Sequence, residues 1–465
     1  MDNPYALEAS DVEEPPRSFR GMLKHLGPGF ILSASIVGSG ELISTTLLGA
    51  EAGFVTLWVV LVSCLVKVTV QLEFGKHAIY SGETTFTAFN KLPGLKLGRA
   101  NWSIWTWLLL MTLKFLQVGG IIGGVAIILL MAFPQLSLAN LGFLPEAVTA
   151  NLPESAIWAL LLAPCVSLLV FRGWYTPIER ISLIMIGLFT LLTLASVYML
   201  HRTEYAVSMG EIASGLTFDL PKFALAAAIG AFGITGVGGD EVMMYNYWLV
   251  EKGYAAKTGP REDSEAWTRR AKGWIRVMYV DALLAMVAYT IVTAAFYILG
   301  AAVLNAQGLI PDKKEIIDVL SKMYTDTLGP GARNIFLAGA FVVLFSTLLS
   351  ALAGWTRLFG DAFSQLTNAD FKNEATRRKL VAVLAWIIPV LWALLFLFFK
   401  SPGLMVMLGG IATSLILLIV LFAAFHFKYR RLPAELKPGP VYNVAFWASA
   451  ISIVAVGVYG IVKLF

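Results

Sequence analysis

The chain has 465 residues, 58% of them hydrophobic and 14% charged, with a mean hydropathy of +0.74. That composition excludes a soluble globular protein, and a net charge of +5 carried in alternate loops points to membrane topology rather than to nucleic acid. Both cysteines, Cys64 and Cys165, fall in apolar stretches, so no disulfide framework is implied.

The first twenty residues are polar and acidic, with no apolar signal region, and residues 1–25 read as a cytosolic tail. Eleven apolar runs follow. Each is about 20 residues long, enough to cross a bilayer. They begin near Leu26, Phe54, Trp102, Ser155, Ile181, Lys222, Trp274, Asn334, Leu380, Pro402 and Val441. The fold class is therefore an all-α polytopic membrane protein, with residues 26–465 as one transmembrane unit. Loops 1–25, 81–101, 172–180, 251–273, 361–379 and 428–440 hold most of the 35 Lys and Arg residues. This bias sets the N-terminus in the cytosol and the C-terminus outside, in a plasma (inner) membrane. The opposite loop, 134–154, has no Lys or Arg. Segment 312–327 reads as a short amphipathic surface helix. Trp102, Trp158, Trp174 and Trp447 lie near span ends and fit an interfacial belt.

Two spans carry their own interruption. The first contains Val37-Gly38-Ser39-Gly40-Glu41, and the sixth contains the near copy Val237-Gly238-Gly239-Asp240-Glu241, just after Gly236. Each Gly costs about 1 kcal/mol in a helix interior relative to Ala, so unwound segments are expected at both places. Unwound backbone survives in hydrocarbon only where protein or a water-filled cavity meets it. Matching breaks in two halves point to a transporter's binding site, although glycines can also serve close helix packing. Breaks in spans one and six divide the first ten spans into two sets of five, about 26–201 and 222–428. An odd number per set makes the halves inverted repeats, with the eleventh span an addition.

In span number, loop pattern and break positions the chain resembles the Nramp family of divalent-metal transporters. Its first span, from Gly27-Pro28-Gly29-Phe30 to Gly49-Ala50, aligns with that family's first helix without a gap. The resemblance implies the LeuT-type 5+5 fold. The metal site is rewritten, however. The family's Asp-Pro-Gly-Asn falls on Gly38-Ser39-Gly40-Glu41, and its Met-Pro-His falls on Gly239-Asp240-Glu241. In the third span, Lys114 and Gln117 stand where the family carries an Asp and a Glu associated with proton movement. The chain is thus similar to a divergent branch, of the kind of the Nramp-related magnesium transporters.

The residues themselves set the chemistry. Substrate contact is expected from Gly38, Ser39, Glu41, Gly236, Gly239, Asp240 and Glu241, and metal ligation from Glu41, Asp240 and Glu241. None of His25, His77, His201 and His426 lies near a break in sequence. An all-oxygen site suits Mg²⁺, Ca²⁺ or Mn²⁺ better than softer metals. Met243 and Met244 follow the second break and read as packing residues. Asp240 and Glu241 are adjacent and point about 100° apart on a helix, so one faces the site and the other caps the following half-helix. Thr235, Ser346, Thr347 and Ser350 add hydroxyls; Ser346-Thr347 would also suit a Na⁺ site. Gly119/Gly123 and Gly120/Gly124 read as close-packing pairs. Asp281 and Glu73 lie nearer the cytosolic ends and read as vestibule or ion-pair groups. Lys114 lies about a dozen residues into its span, ~18 Å at the helical rise, and needs a partner; Glu41, Asp240 and Glu241 are the choices. Its charge, with the non-titrating Gln117, breaks the family's proton route.

The leading function is an alternating-access transporter of a hard divalent cation, secondary-active or facilitative, without the usual proton coupling. The alternative is an amine-bearing or zwitterionic organic solute carried on the same fold. The partners expected are the lipid bilayer and this small solute, with no nucleic acid, cofactor or obligate protein partner. No nucleophile–base motif, metal-hydrolase spacing or phosphate loop is evident, so the chain reads as a non-enzyme.

Overall fold

The first apolar run does not fold as one helix. In the computed structural model, which describes residues 3–38, 40–140, 151–171, 175–310 and 316–464, helix α1 (Pro28–Ile36) stops before Val37. A π-turn over Gly40–Thr45 then leads into α2 (Thr46–Ala52). The sixth run is broken likewise, between α7 (Leu225–Ile234) and α8 (Gly239–Glu251). Both breaks fall at the glycines marked by the sequence. Gly236 takes φ +64°, a left-handed conformation that only Gly adopts without strain. Ser39, Trp174 and the opening residues of the 312–327 segment lie outside the described residues.

The other spans are α3 (Leu57–Ser81), α4 (Trp102–Ala132), α5 (Ala156–Phe171), α6 (Tyr175–Met199), α9 (Glu265–Leu299), α11 (Ala332–Leu366), α12 (Glu374–Phe399), α13 (Pro402–His426) and α14 (Pro440–Leu464). The shorter α10 (Ile316–Leu328) packs against α6 and α11. Eight helical runs of the described residues are long and apolar enough to cross a membrane, and Ala156–Phe171 and Ile186–Arg202 are shorter apolar helices. A two-residue hairpin, β1 (Lys96–Leu97) with β2 (Ala100–Asn101), decorates the loop before α4.

Three starts differ from the sequence expectation: α6 begins at Tyr175 rather than near Ile181, and two more are set by polar caps. Helix α9 begins at Glu265 rather than near Trp274, and α12 begins at Glu374 rather than near Leu380. Polar caps extend each helix beyond its apolar stretch. The Ser264 side chain accepts a hydrogen bond from Trp267 N, and Asn373 accepts one from Thr376 N.

The broken segments form the centre, wrapped by α3, α9, α11 and α13, with α4 packed behind α11 and α13. The glycine pairs of α4 let it lie close to α12 and α13: a Cβ on Gly123 would come 2.3 Å from the Phe396 ring, and one on Gly120 would come 2.7 Å from the Pro402 carbonyl. The N-terminal segment packs along one end of the bundle. Tyr5 donates to Glu251 Oε1 at 2.8 Å, Trp274 Nε1 donates to the Glu13 carbonyl at 3.0 Å, and Asn3 Nδ2 donates to the Lys372 carbonyl at 3.0 Å.

Candidate functional site

Asp240 is the second residue of α8, where the half-helix N–H groups are still unpaired and a negative charge is favoured. It is buried, and each of its carboxylate oxygens has a nitrogen beside it. Lys114 Nζ lies 2.9 Å from Oδ1, and Trp355 Nε1 donates to Oδ2 at 3.1 Å. Lys114, on α4, also donates to Thr413 Oγ1 on α13 at 2.7 Å. One ion pair therefore ties α4, α8, α11 and α13 together. Of the three carboxylates open to Lys114 in the sequence, the structure pairs it with Asp240.

Glu241 borders the same cavity as Asp240 but stands outside the Lys114 ion pair. Its Oε2 is buried without a hydrogen-bond partner among the described residues. That oxygen folds back over Gly238, where an added Cβ would come within 2.2 Å of it. Glu241, Asp240, Lys114 and Gln117 line one small cavity, together with Ser35, Ile36, Gly40, Val118, Ile121, Ile234, Met244, Thr347, Ala351 and Trp355. About 20 Å³ of it is open to the centre of a water molecule, which is room for about one water. Gln117 Oε1 is also buried without a partner.

Glu41 is not among the lining residues. Its Oε2 accepts from Gly38 N at 3.2 Å, its Oε1 accepts from Thr293 Oγ1 at 3.2 Å, and the carboxylate lies beside the Gly236 backbone. It thus joins the two breaks to α9 instead of facing the cavity with Asp240. Gly38 and Gly239 serve by their lack of a side chain: a Cβ on Gly38 would meet Thr347 Oγ1, and one on Gly239 would meet Ile416. Thr347 and Ser346 hydroxyls both bond back to the Val343 carbonyl, at 3.0 and 2.9 Å. Met244 reaches the cavity, while Met243 is fully buried and its carbonyl accepts from Thr85. Asp281 caps the start of α1, accepting from Gly27 N at 2.9 Å and Gly29 N at 2.5 Å. Glu73 pairs with Lys76 at 2.7 Å. No group of three or more His, Cys, Asp or Glu side chains placed to hold a metal occurs among the described residues.

Trp355, Thr413, Ser35 and Thr293 were not legible from the sequence, because each is an ordinary residue until packing brings it to a carboxylate or to the cavity. Lys67, on α3, is different. A charged residue in the middle of an apolar run is itself a signal, and it applies to Lys67 as it does to Lys114.

Two half-helices broken at matching glycines, a buried charge pair at one break and a small polar cavity between the halves define a membrane transporter of the LeuT type. The chain matches the family described as natural resistance-associated macrophage protein-like over residues 29–463, and it belongs to that family, Nramp. It is 23% identical to the divalent metal cation transporter MntH of Bacillus subtilis over 456 residues, covering 97% of this chain and 94% of that protein. A crystal structure of the Eremococcus coleocola manganese transporter, in complex with an aromatic bis-isothiourea substituted compound, shares the fold with a TM-score of 0.63 at 16% identity, covering 98% of this chain and 91% of that one. MhsT in complex with L-phenylalanine shares it with a TM-score of 0.60 at 19% identity, covering 97% of this chain and all of that one.

Proposed function

We propose that this protein moves a hard divalent cation across the membrane by alternating access, through the cavity between its two breaks. The observation that carries this reading is Glu241: it lines the cavity with one oxygen unpartnered, while the neighbouring Asp240 is already neutralised by Lys114. Glu241 is thus the cavity carboxyl outside the ion pair, and its unpartnered oxygen is available to coordinate a cation. The donors around it are carboxylate, amide and hydroxyl oxygens, with Met244 the one soft group, so Mg²⁺, Mn²⁺ and Ca²⁺ suit it better than Cd²⁺. Descent supports a metal substrate, since the Bacillus subtilis relative is a divalent metal cation transporter. Proton movement by the route through the third span is blocked, because Lys114 is held in an ion pair and Gln117 does not titrate.

The second reading is an amine-bearing or zwitterionic solute. The Lys114–Asp240 pair offers one charge of each sign at a single cavity, and no cluster of three metal-ligating groups accompanies it. One titration separates the two. Saturable binding of Mg²⁺, Mn²⁺ or Ca²⁺ to purified protein, weakened at least tenfold in Glu241→Gln, is expected for the metal reading. Absence of binding by all three ions transfers the assignment to the organic solute.

A further inference from the structure

A helix that ends in the middle of a membrane leaves its last carbonyls without N–H partners and its negative dipole end exposed. Helix α7 ends this way at Ile234, where the second break begins. Lys67 reaches across from α3 to that end. Its Nζ donates to the carbonyl oxygens of Phe232 at 2.7 Å, Gly233 at 3.4 Å and Thr235 at 2.5 Å. The Ser63 hydroxyl, one turn earlier on α3, sits 2.9 Å from both the Phe232 and the Thr235 carbonyls. Lys67 is fully buried, and its ammonium lies 5.3 Å from the centre of the Phe232 ring.

The three bonded partners of this ammonium are neutral oxygens, not carboxylates. Converging carbonyls and a hydroxyl at the negative end of a half-helix form the kind of oxygen cluster that holds a hard cation. We propose that the carbonyl cluster of Phe232, Gly233 and Thr235 is a cation site at the hinge of the second break, filled by this chain's own ammonium, Lys67. The hinge therefore takes no cation from solution. Removing the side chain uncovers a site for a small monovalent cation: Na⁺, K⁺ or an alkylammonium. This site lies on the α3 side of the break and shares none of its bonded residues with the Asp240–Glu241 cavity, so it stands whether the transported solute is a metal or not.

The test compares wild type, Lys67→Ala and Lys67→Met as purified proteins. Melting temperature is read in the chlorides of Na⁺, K⁺, ethylammonium and the bulky N-methylglucammonium, each at about 0.15 M ionic strength. Wild type is expected to melt alike in all four salts. Lys67→Met, which fills the space without the charge, is expected to melt lower in all four. Lys67→Ala is expected to melt low in N-methylglucammonium and to gain several degrees in at least one of the smaller cations. A Lys67→Met protein as stable as wild type overturns the proposal. So does a Lys67→Ala protein that melts alike in every salt, or one that cannot be recovered in any of them. Recovery of Lys67→Ala only in a small cation supports it.

Discussion

Lys114 Nζ and Asp240 Oδ1 meet at 2.9 Å, and the contact joins the third span to the first turn of the half-helix after the second break. Both side chains are buried, so each charge depends on the other. Removing one partner of a buried pair leaves an uncompensated charge and costs about 3–5 kcal/mol, whereas replacing both with neutral groups is often near neutral. Lys114→Met is therefore expected to destabilise strongly, and adding Asp240→Asn to recover most of the loss. Melting curves of the two single variants and the double variant measure the coupling. Additive losses would mean that the two charges stabilise the fold independently.

The same pair sets an expectation for coupling. A carboxylate at the position of Lys114 could exchange a proton with Asp240, but an ammonium held by Asp240 and Thr413 repels one. Uptake of Mn²⁺ into liposomes containing a pH-sensitive dye should proceed without matching acidification. Acidification that tracks uptake and disappears in Lys114→Met would make the lysine itself a proton relay and overturn this expectation.

The fold was legible because the physics behind it is local. Runs of about 20 apolar residues, the glycines at 38 and 40 and at 236, 238 and 239, and the repeated Val-Gly-x-x-Glu pattern mark the membrane class and both breaks without any knowledge of long-range contacts. The site was legible only in part. Lys114 could be recognised as needing a carboxylate, but its partner depended on how α4 sits against α8. Glu41 and Glu241 occupy the same place in the two repeats and fold back toward the glycine three residues earlier, Gly38 and Gly238. Packing then separates them: Thr293 on α9 takes up Glu41, while Glu241 lines the cavity. A symmetric pattern in sequence cannot report that difference, because it arises from neighbours far along the chain.

Gly38 offers a direct test of how closely the first break approaches α11. A Cβ there would lie 1.9 Å from Thr347 Oγ1 and 3.1 Å from Thr347 Cβ. Overpacking of this kind costs about 1–3 kcal/mol. Gly38→Ala should lower the melting temperature and slow uptake, and Thr347→Ala in the same chain should restore part of both by removing the hydroxyl. If Gly38→Ala matches wild type, the break does not pack against Thr347 in solution.

The last prediction concerns the end of the bundle that carries the N-terminal segment. Glu83, just past α3, is bonded by His77 Nε2 at 3.1 Å, Lys91 Nζ at 2.5 Å and Arg431 Nη2 at 3.0 Å. Partial burial opposes its ionisation, but the hydrogen bonds from His77, Arg431 and Lys91 outweigh that and hold the carboxyl well below the usual range. A carboxyl depressed in the folded state contributes stability above its unfolded pKa, about 4.3, and loses it as pH falls through the lower folded value. Glu83→Gln should therefore melt below wild type at pH 7 and at about pH 5. The margin should narrow from about pH 4 downward, as wild type begins to lose what the variant never had. The cluster joins the loop after α3 to Arg431 beyond α13, so what is lost is a tie between the two repeats. Melting curves of both proteins across that range decide the matter, and a margin unchanged down to pH 3 would show that Glu83 is not held ionised by this cluster.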